Sequence, residues 1–170
     1  MNKEELRKKV IEERKKINTS TISIKIIENI RKMPQYKTSE HVMIFYPMKY
    51  EIDLLNLLND KKIFYLPKID GEDLKICLYK PEDKLMISEF GTKEPQTESV
   101  DIEQIDLIFV PALCVDENNY RLGYGRGFFD RLLKRFDGVS ITPIPEQFIF
   151  KTIPHDENDV AVDIVITENY

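Results

Sequence analysis

Short apolar runs that alternate with helix-spaced segments constrain this chain more than any other feature. HVMIFY (41–46), KKIFYLPKI (61–69), DLIFVPAL (106–113) and DIVIT (163–167) read as strands. DLIFVPAL is the most apolar of them and the candidate central strand. Residues 3–17 bring Leu6, Val10 and Ile17 close to one face of an amphipathic helix. NTST (18–21) offers cap residues for a second helix, which carries Ile22, Ile26 and Ile30 and stops before Pro34. Residues 52–60 and 128–136 have the spacing of shorter helices, and Asp70-Gly71 marks a hairpin turn into LKICLY (74–79). The polar stretch 80–104, with Pro81, Gly91 and Pro95, reads as surface cover. Alternation of this kind predicts an α/β fold. The expected form is a single three-layer domain over 1–170, with a central, largely parallel sheet and helices on both faces.

Composition removes several function classes. With 170 residues and 42% hydrophobic content, the chain can build one real core. Its net charge of −5 argues against a general nucleic-acid binder, because phosphate neutralisation needs a broad basic face. No apolar run approaches the ~20 residues of a membrane span, and the first 16 residues are charged where a secretory signal would be apolar. Two cysteines, Cys77 and Cys114, make no disulfide framework, so a cytoplasmic protein without membrane association is expected. The oligomeric state stays open between monomer and weak dimer.

Charge is unevenly placed within that acidic total. Four of the seven arginines lie between Arg121 and Arg135, and the segment 121–135 has a net charge of +4. It contains RLGYGRGFFDR, in which Gly123, Gly125 and Gly127 stand between a buried strand and a helix. Glycine lets backbone N–H groups approach an anion, and a helix start adds partial positive charge. The G-x-G-x-G spacing is neither the dinucleotide fingerprint nor a Walker motif. Arg126 stands out, since packing does not require arginine between two glycines, and its planar fork suits phosphate oxygens. Asp130 reads either as an acid stabilising the helix start or as a ligand for Mg²⁺, which takes one or two carboxylates beside nucleotide phosphates. Asp156, Asp159 and Asp163, before the last strand, are candidates for a second carboxylate.

These segments, with KEELR (3–7), YPMKYEID (46–53), DLIFVPAL-x-x-D (106–116) and ENDVAVDIVI (157–166), occur in an order that resembles the 5-formyltetrahydrofolate cyclo-ligase family over nearly the whole chain. The resemblance implies an ATP- and Mg²⁺-dependent closure of 5-formyltetrahydrofolate to the 5,10-methenyl form, releasing ADP and phosphate. ATP and a reduced folate are then its small-molecule partners. Carried over by position, Lys3 and Arg7 match the N-terminal basic pair that contacts ATP. Arg121, Leu122, Gly123, Tyr124, Gly125, Arg126, Gly127, Phe128 and Phe129 match the nucleotide loop, with Arg126 as its catalytic cation. Tyr46, Met48, Glu51, Tyr124 and Phe128 match the folate contacts, and Asp130 and Asp159 the metal carboxylates.

The chain departs from the family where Phe128 and Phe129 replace frequent tyrosines, removing two hydroxyls, and where Ala112 and Val115 replace glycine and an aromatic residue. The second pair is expected to alter the folate wall. Without the resemblance, Glu51 reads as a helix-start acid, and Lys134 and Arg135 as a solvated helix face. A non-enzymatic alternative is a nucleotide-binding paralogue that has lost folate turnover and acts as a binding or regulatory module. A Cys114–His155 hydrolase is the rival chemistry.

Overall fold

A computed structural model describes residues 1–169. The chain opens with α1 (Lys3–Arg14), α2 (Thr19–Lys32) and the single turn α3 (Pro34–Lys37), then enters β1 (His41–Met43). Next come β2 (Ile63–Asp70), β3 (Asp73–Leu78), β4 (Leu85–Ile87), β5 (Lys93–Pro95), β6 (Ser99–Val100) and β7 (Leu107–Phe109). The last third holds β8 (Cys114–Asp116), β9 (Arg121–Leu122), α4 (Phe128–Lys134), β10 (Val139–Pro143), β11 (Ile149–Phe150) and β12 (Ile164–Ile166). No helix among these residues is long and apolar enough to cross a membrane.

The main sheet has the order β12-β10-β7-β1-β2-β3-β6. Its first five strands are parallel neighbours, and β3 and β6 add an antiparallel edge. The sheet is thus largely parallel, as the alternating pattern predicts, with β7 beside β1 in its interior. Side chains alternate between two cores, as a period of two requires. Val42, Ile44, Phe64, Leu66, Leu107 and Phe109 face Ile26, Ile27 and Ile30 of α2 and Tyr36 of α3. Met43, Tyr65 and Ile108 face Leu132 and Leu133 of α4. Helices therefore cover both faces. Asn18, from the expected cap segment, accepts the Thr21 N–H at 3.1 Å, and Pro34 ends α2 by opening α3.

Two expectations change. The segment 52–60 forms only a 3-10 turn over Leu55–Asn59. Its helix-start acid is Asp53, whose carboxylate accepts the Leu55 N–H, so Glu51 is left for another role. The stretch 80–104 holds the β4–β5 hairpin and the edge strand β6 instead of plain surface cover. The turn-rich segment after DLIFVPAL also contains structure, because β8 and β9 form a hairpin joined by β11 in a small sheet. That sheet and α1 enclose a third core of Leu6, Val10, Leu113, Val115, Leu122, Ile144 and Phe148.

One charged side chain ties this third core together. Arg14 continues the stripe of Leu6 and Val10 at four-residue spacing and is only 2% exposed. Its guanidinium donates to the carbonyls of Ala112 (2.8 Å), Leu113 (2.9 Å) and Tyr50 (2.9 Å) and lies over the Phe148 ring. Burial pulls its pKa down, opposed by Tyr124 and Glu51. Replacing it by leucine strands three carbonyls in a dry interior. Arg14→Leu should lose about 2–4 kcal/mol in urea unfolding; a loss below ~1 kcal/mol would contradict this view of α1 docking.

Candidate active site

Neighbouring parallel strands β1 and β7 send their carboxyl ends to the same edge of the sheet. From β1 the chain moves on to β2, and after β7 it comes back on the other side as β10, so the loops leaving the two strands part. A crevice at such a point is the usual ligand site of an open parallel sheet. Here it is a cavity of about 670 Å³, lined by the segment after β1, the β9–α4 loop, the start of α1 and the 156–159 turn. Lys3, Arg7, Tyr46, Met48, Glu51, every residue from Arg121 to Asp130, and Asp159 all line it. The fold brings together every residue that the resemblance singled out.

The glycine loop rests on arginines. A side chain at Gly123 would meet the Arg121 guanidinium at 2.8 Å, and one at Gly127 would meet Arg131 at 2.7 Å. At Gly125, where φ is +101°, Arg7 lies 3.4 Å from the same position. Positive φ at Gly125 (+101°) and Gly127 (+71°) calls for glycine there. At Gly123 and Gly127 the nearby guanidinium also leaves no room for a side chain, whereas the Arg7 approach at Gly125 is ordinary contact. Arg7 donates to the Gly123 carbonyl at 2.8 Å, and Arg131 to the carbonyls of Glu72 (2.7 Å) and Arg126 (2.9 Å). Arg121 is buried under the loop, donates to the Pro111 carbonyl at 3.0 Å, and reaches Asp130 at 3.8 Å. The Leu122 side chain is core, so both residues shape the loop from below. Arg126 is exposed in the cavity with its guanidinium 4.6 Å from the Phe90 ring centre. Because α4 is only seven residues long, an anion at this loop would meet the loop amides and cations more than the helix start.

Two carboxylates flank the loop. Asp130 accepts the Val160 N–H at 3.2 Å, and Asp159 binds the Lys3 ammonium at 2.7 Å. Burial works against the Lys3 charge, but Asp159 and Asp156 outweigh it and hold the amine above its ordinary value. Of the other candidates, Asp156 is exposed and Asp163 bonds Ser140 away from the cavity. No cluster of three or more acidic, histidine or cysteine side chains exists among the described residues. Asp130 and Asp159 both line the cavity, with Asp159 Oδ2 taken by the Lys3 ammonium and by the Asp156 N–H at 2.9 Å. Mg²⁺ is a cation that takes one or two such carboxylates beside phosphate and water.

The opposite wall is apolar and aromatic. Tyr46, Met48, Phe90 and Phe128 line it, with Phe90 edge-on to Phe128 at 5.7 Å between centroids. Glu51 accepts the Met48 N–H at 2.6 Å, and its charge acts on the Tyr124 phenol of the glycine loop. Burial pushes the Glu51 carboxyl up, against the pull of the Met48 N–H, Tyr124 and Arg14, and raises the Tyr124 phenol as well.

A model of the 5-formyltetrahydrofolate cyclo-ligase family matches residues 1–168. The chain belongs to the 5-formyltetrahydrofolate cyclo-ligase family. Family membership makes it a ligase of folate one-carbon metabolism. The mouse 5-formyltetrahydrofolate cyclo-ligase is 28% identical over 155 residues, covering 79% of this chain and 76% of its own. The NMR structure of Aquifex aeolicus 5,10-methenyltetrahydrofolate synthetase superposes with a TM-score of 0.88 at 35% identity, over 100% of this chain and 91% of that one. The Mycoplasma pneumoniae synthetase shares the fold at 20% identity, with a TM-score of 0.79 over 99% of both chains.

Several residue expectations for this cyclo-ligase need revision. Ala112 and Val115 are buried in the third core and do not line the cavity, so their departure from the family leaves the cavity wall untouched. Phe129 turns its ring under the Arg121 guanidinium, and Phe128 lies under Arg131. Lys134 lines the cavity, and Arg135 donates to the Leu74 carbonyl, so neither belongs to a purely solvated face. Cys114 is buried with its thiol pushed up to about 12, while His155 stacks on Tyr120, which removes the hydrolase alternative. Sequence reading missed Arg14, Phe90 and Glu94. Only Arg14 left a signal, as a charge on the apolar stripe of α1.

The Glu51 environment makes a pH prediction. A carboxyl raised above its ordinary 4.5 binds its proton more tightly when folded. Its ionisation therefore costs stability as pH rises through and above that value. Glu51→Gln cannot titrate and retains an oxygen for the Met48 N–H. The stability difference between variant and wild type should move in favour of the variant from pH ~4.5 upward, then level off. Urea midpoints between pH 4 and 8 measure it, and a pH-independent difference would contradict the buried, raised carboxyl.

Proposed function

We propose that the cleft converts 5-formyltetrahydrofolate to 5,10-methenyltetrahydrofolate, with ATP cleaved to ADP and phosphate. One observation carries the reading: a single cavity has an arginine-backed glycine loop with two carboxylates at one end and an aromatic wall with a buried acid at the other. The loop suits a triphosphate, and the wall suits a flat reduced pterin.

The chemistry follows from the leaving group. A formamide oxygen departs poorly, so direct closure with loss of water is slow. The formyl oxygen instead attacks the γ-phosphorus, and the bond to ADP breaks. N10 of the folate then adds to the activated formyl carbon, loses its proton, and expels phosphate with the former formyl oxygen. Such a sequence asks the protein for positioning and charge stabilisation more than for a covalent nucleophile. The amides of residues 123–127 and Arg126 hold the transferring phosphoryl group. Lys3 and Arg7, one helical turn apart on α1, close the same end. Asp130 and Asp159 would hold Mg²⁺, which neutralises phosphate charge when bound. Tyr46, Met48, Glu51, Tyr124 and Phe128 orient the folate. We place this activity in the cytoplasm, in keeping with two free, buried cysteines.

Purified protein mixed with Mg·ATP and 5-formyltetrahydrofolate should develop methenyl absorbance, and no ATP-dependent product would refute the proposal. Arg126 is exposed and bonds through its main-chain carbonyl, so Arg126→Ala should retain the wild-type melting temperature while kcat falls about 100-fold. Unchanged kinetics would remove Arg126 from the reaction.

A further inference from the structure

Glu94 is an ionisable group on the apolar wall that the reaction above does not use. Glu94 lies on β5, the returning strand of the β4–β5 hairpin, and is 7% exposed. Its Oε2 accepts the Ile69 N–H at 2.7 Å. Among the described residues its carboxylate has no other hydrogen bond and no lysine, arginine or histidine within ion-pair distance. The same cavity is lined by Pro67, Ile69, Leu74, Phe90, Thr92 and Lys93. A carboxylate in such surroundings is costly unless donors satisfy its oxygens. One oxygen has a donor. The other has no donor from the protein and keeps access to the cavity that the residue lines.

We propose that Glu94 recognises the N–H-donating edge of the pterin ring. The assignment rests on the folate reading of this wall. A pterin carries a 2-amino group beside a ring N–H, two nearly parallel donors that match the spacing of a carboxylate much as a guanidinium does. Glu94 would accept from that edge while its bond to Ile69 holds it still. It is a specificity-determining residue, distant in role from the phosphate loop. Ligands that offer acceptors at this edge, or nothing, leave the carboxylate buried and unpaired, and that is a strong basis for discrimination.

Equilibrium titration with 5-formyltetrahydrofolate and with its 2-desamino-2-methyl analogue tests the assignment. Wild type should bind the parent compound at least about tenfold more tightly than the analogue. Glu94→Gln has a single carbonyl oxygen where the carboxylate has two. It should weaken binding of the parent by about tenfold, bind both compounds alike, and leave the KM for ATP unchanged. Equal affinity of wild type for the two compounds overturns the assignment, as does a variant that still discriminates. If Glu94→Gln fails to fold, the wild-type comparison decides alone. A wild type that turns over 5-formyltetrahydrofolate without discriminating refutes the role of Glu94 only, whereas one that neither binds nor converts it refutes the folate reading too.

Discussion

The site depends on guanidinium groups that face inward. Arg14 fixes α1 against the carbonyls of Tyr50, Ala112 and Leu113, which belong to the segments leaving β1 and β7. With α1 held there, Arg7 comes under Gly125 and binds the Gly123 carbonyl, and Lys3 reaches Asp159. Arg121 and Arg131 support the remaining glycines. A loop of three glycines would otherwise be entropically expensive to hold in one shape. Arg7 and Arg131 lower that cost by donating to the Gly123 and Arg126 carbonyls, while the Arg126 side chain stands exposed in the cavity.

The same arrangement couples the two halves of the cleft. Glu51 accepts from the Met48 N–H on the aromatic wall and its charge acts on Tyr124 of the glycine loop, while Arg14 holds the neighbouring Tyr50. In the proposed ring closure, where ATP activates the formyl oxygen of the folate, a carboxyl set between the two walls would help align that oxygen with the phosphoryl group.

Much of this was legible in the amino-acid order, for identifiable reasons. Apolar periodicity reports burial directly, so the interior strands β1, β2 and β7 and the helices α1, α2 and α4 stand out. β10 is less visible because it buries Ser140 and Thr142, and Ser140 is satisfied by Asp163. The small sheet was hidden in a polar segment, where the Asp116 carboxylate caps its turn by accepting from Asn118 and Tyr120. The glycine loop was legible through the charge around it, although the arginines sit largely beneath the loop and only Arg126 stands free on it. Glu94 had no local signature: its burial comes from β5 lying along β2, a contact set by the tertiary fold alone.

The central claim is that ATP makes the formyl oxygen a leaving group within this cleft. The most direct measurement starts from 5-formyltetrahydrofolate carrying ¹⁸O in the formyl group and follows the label by mass spectrometry after one complete turnover with Mg·ATP. Phosphoryl transfer to that oxygen predicts one ¹⁸O in each inorganic phosphate released. Unlabelled phosphate, with the ¹⁸O recovered in water, would mean that ring closure expels the oxygen without phosphorylation and would contradict the account.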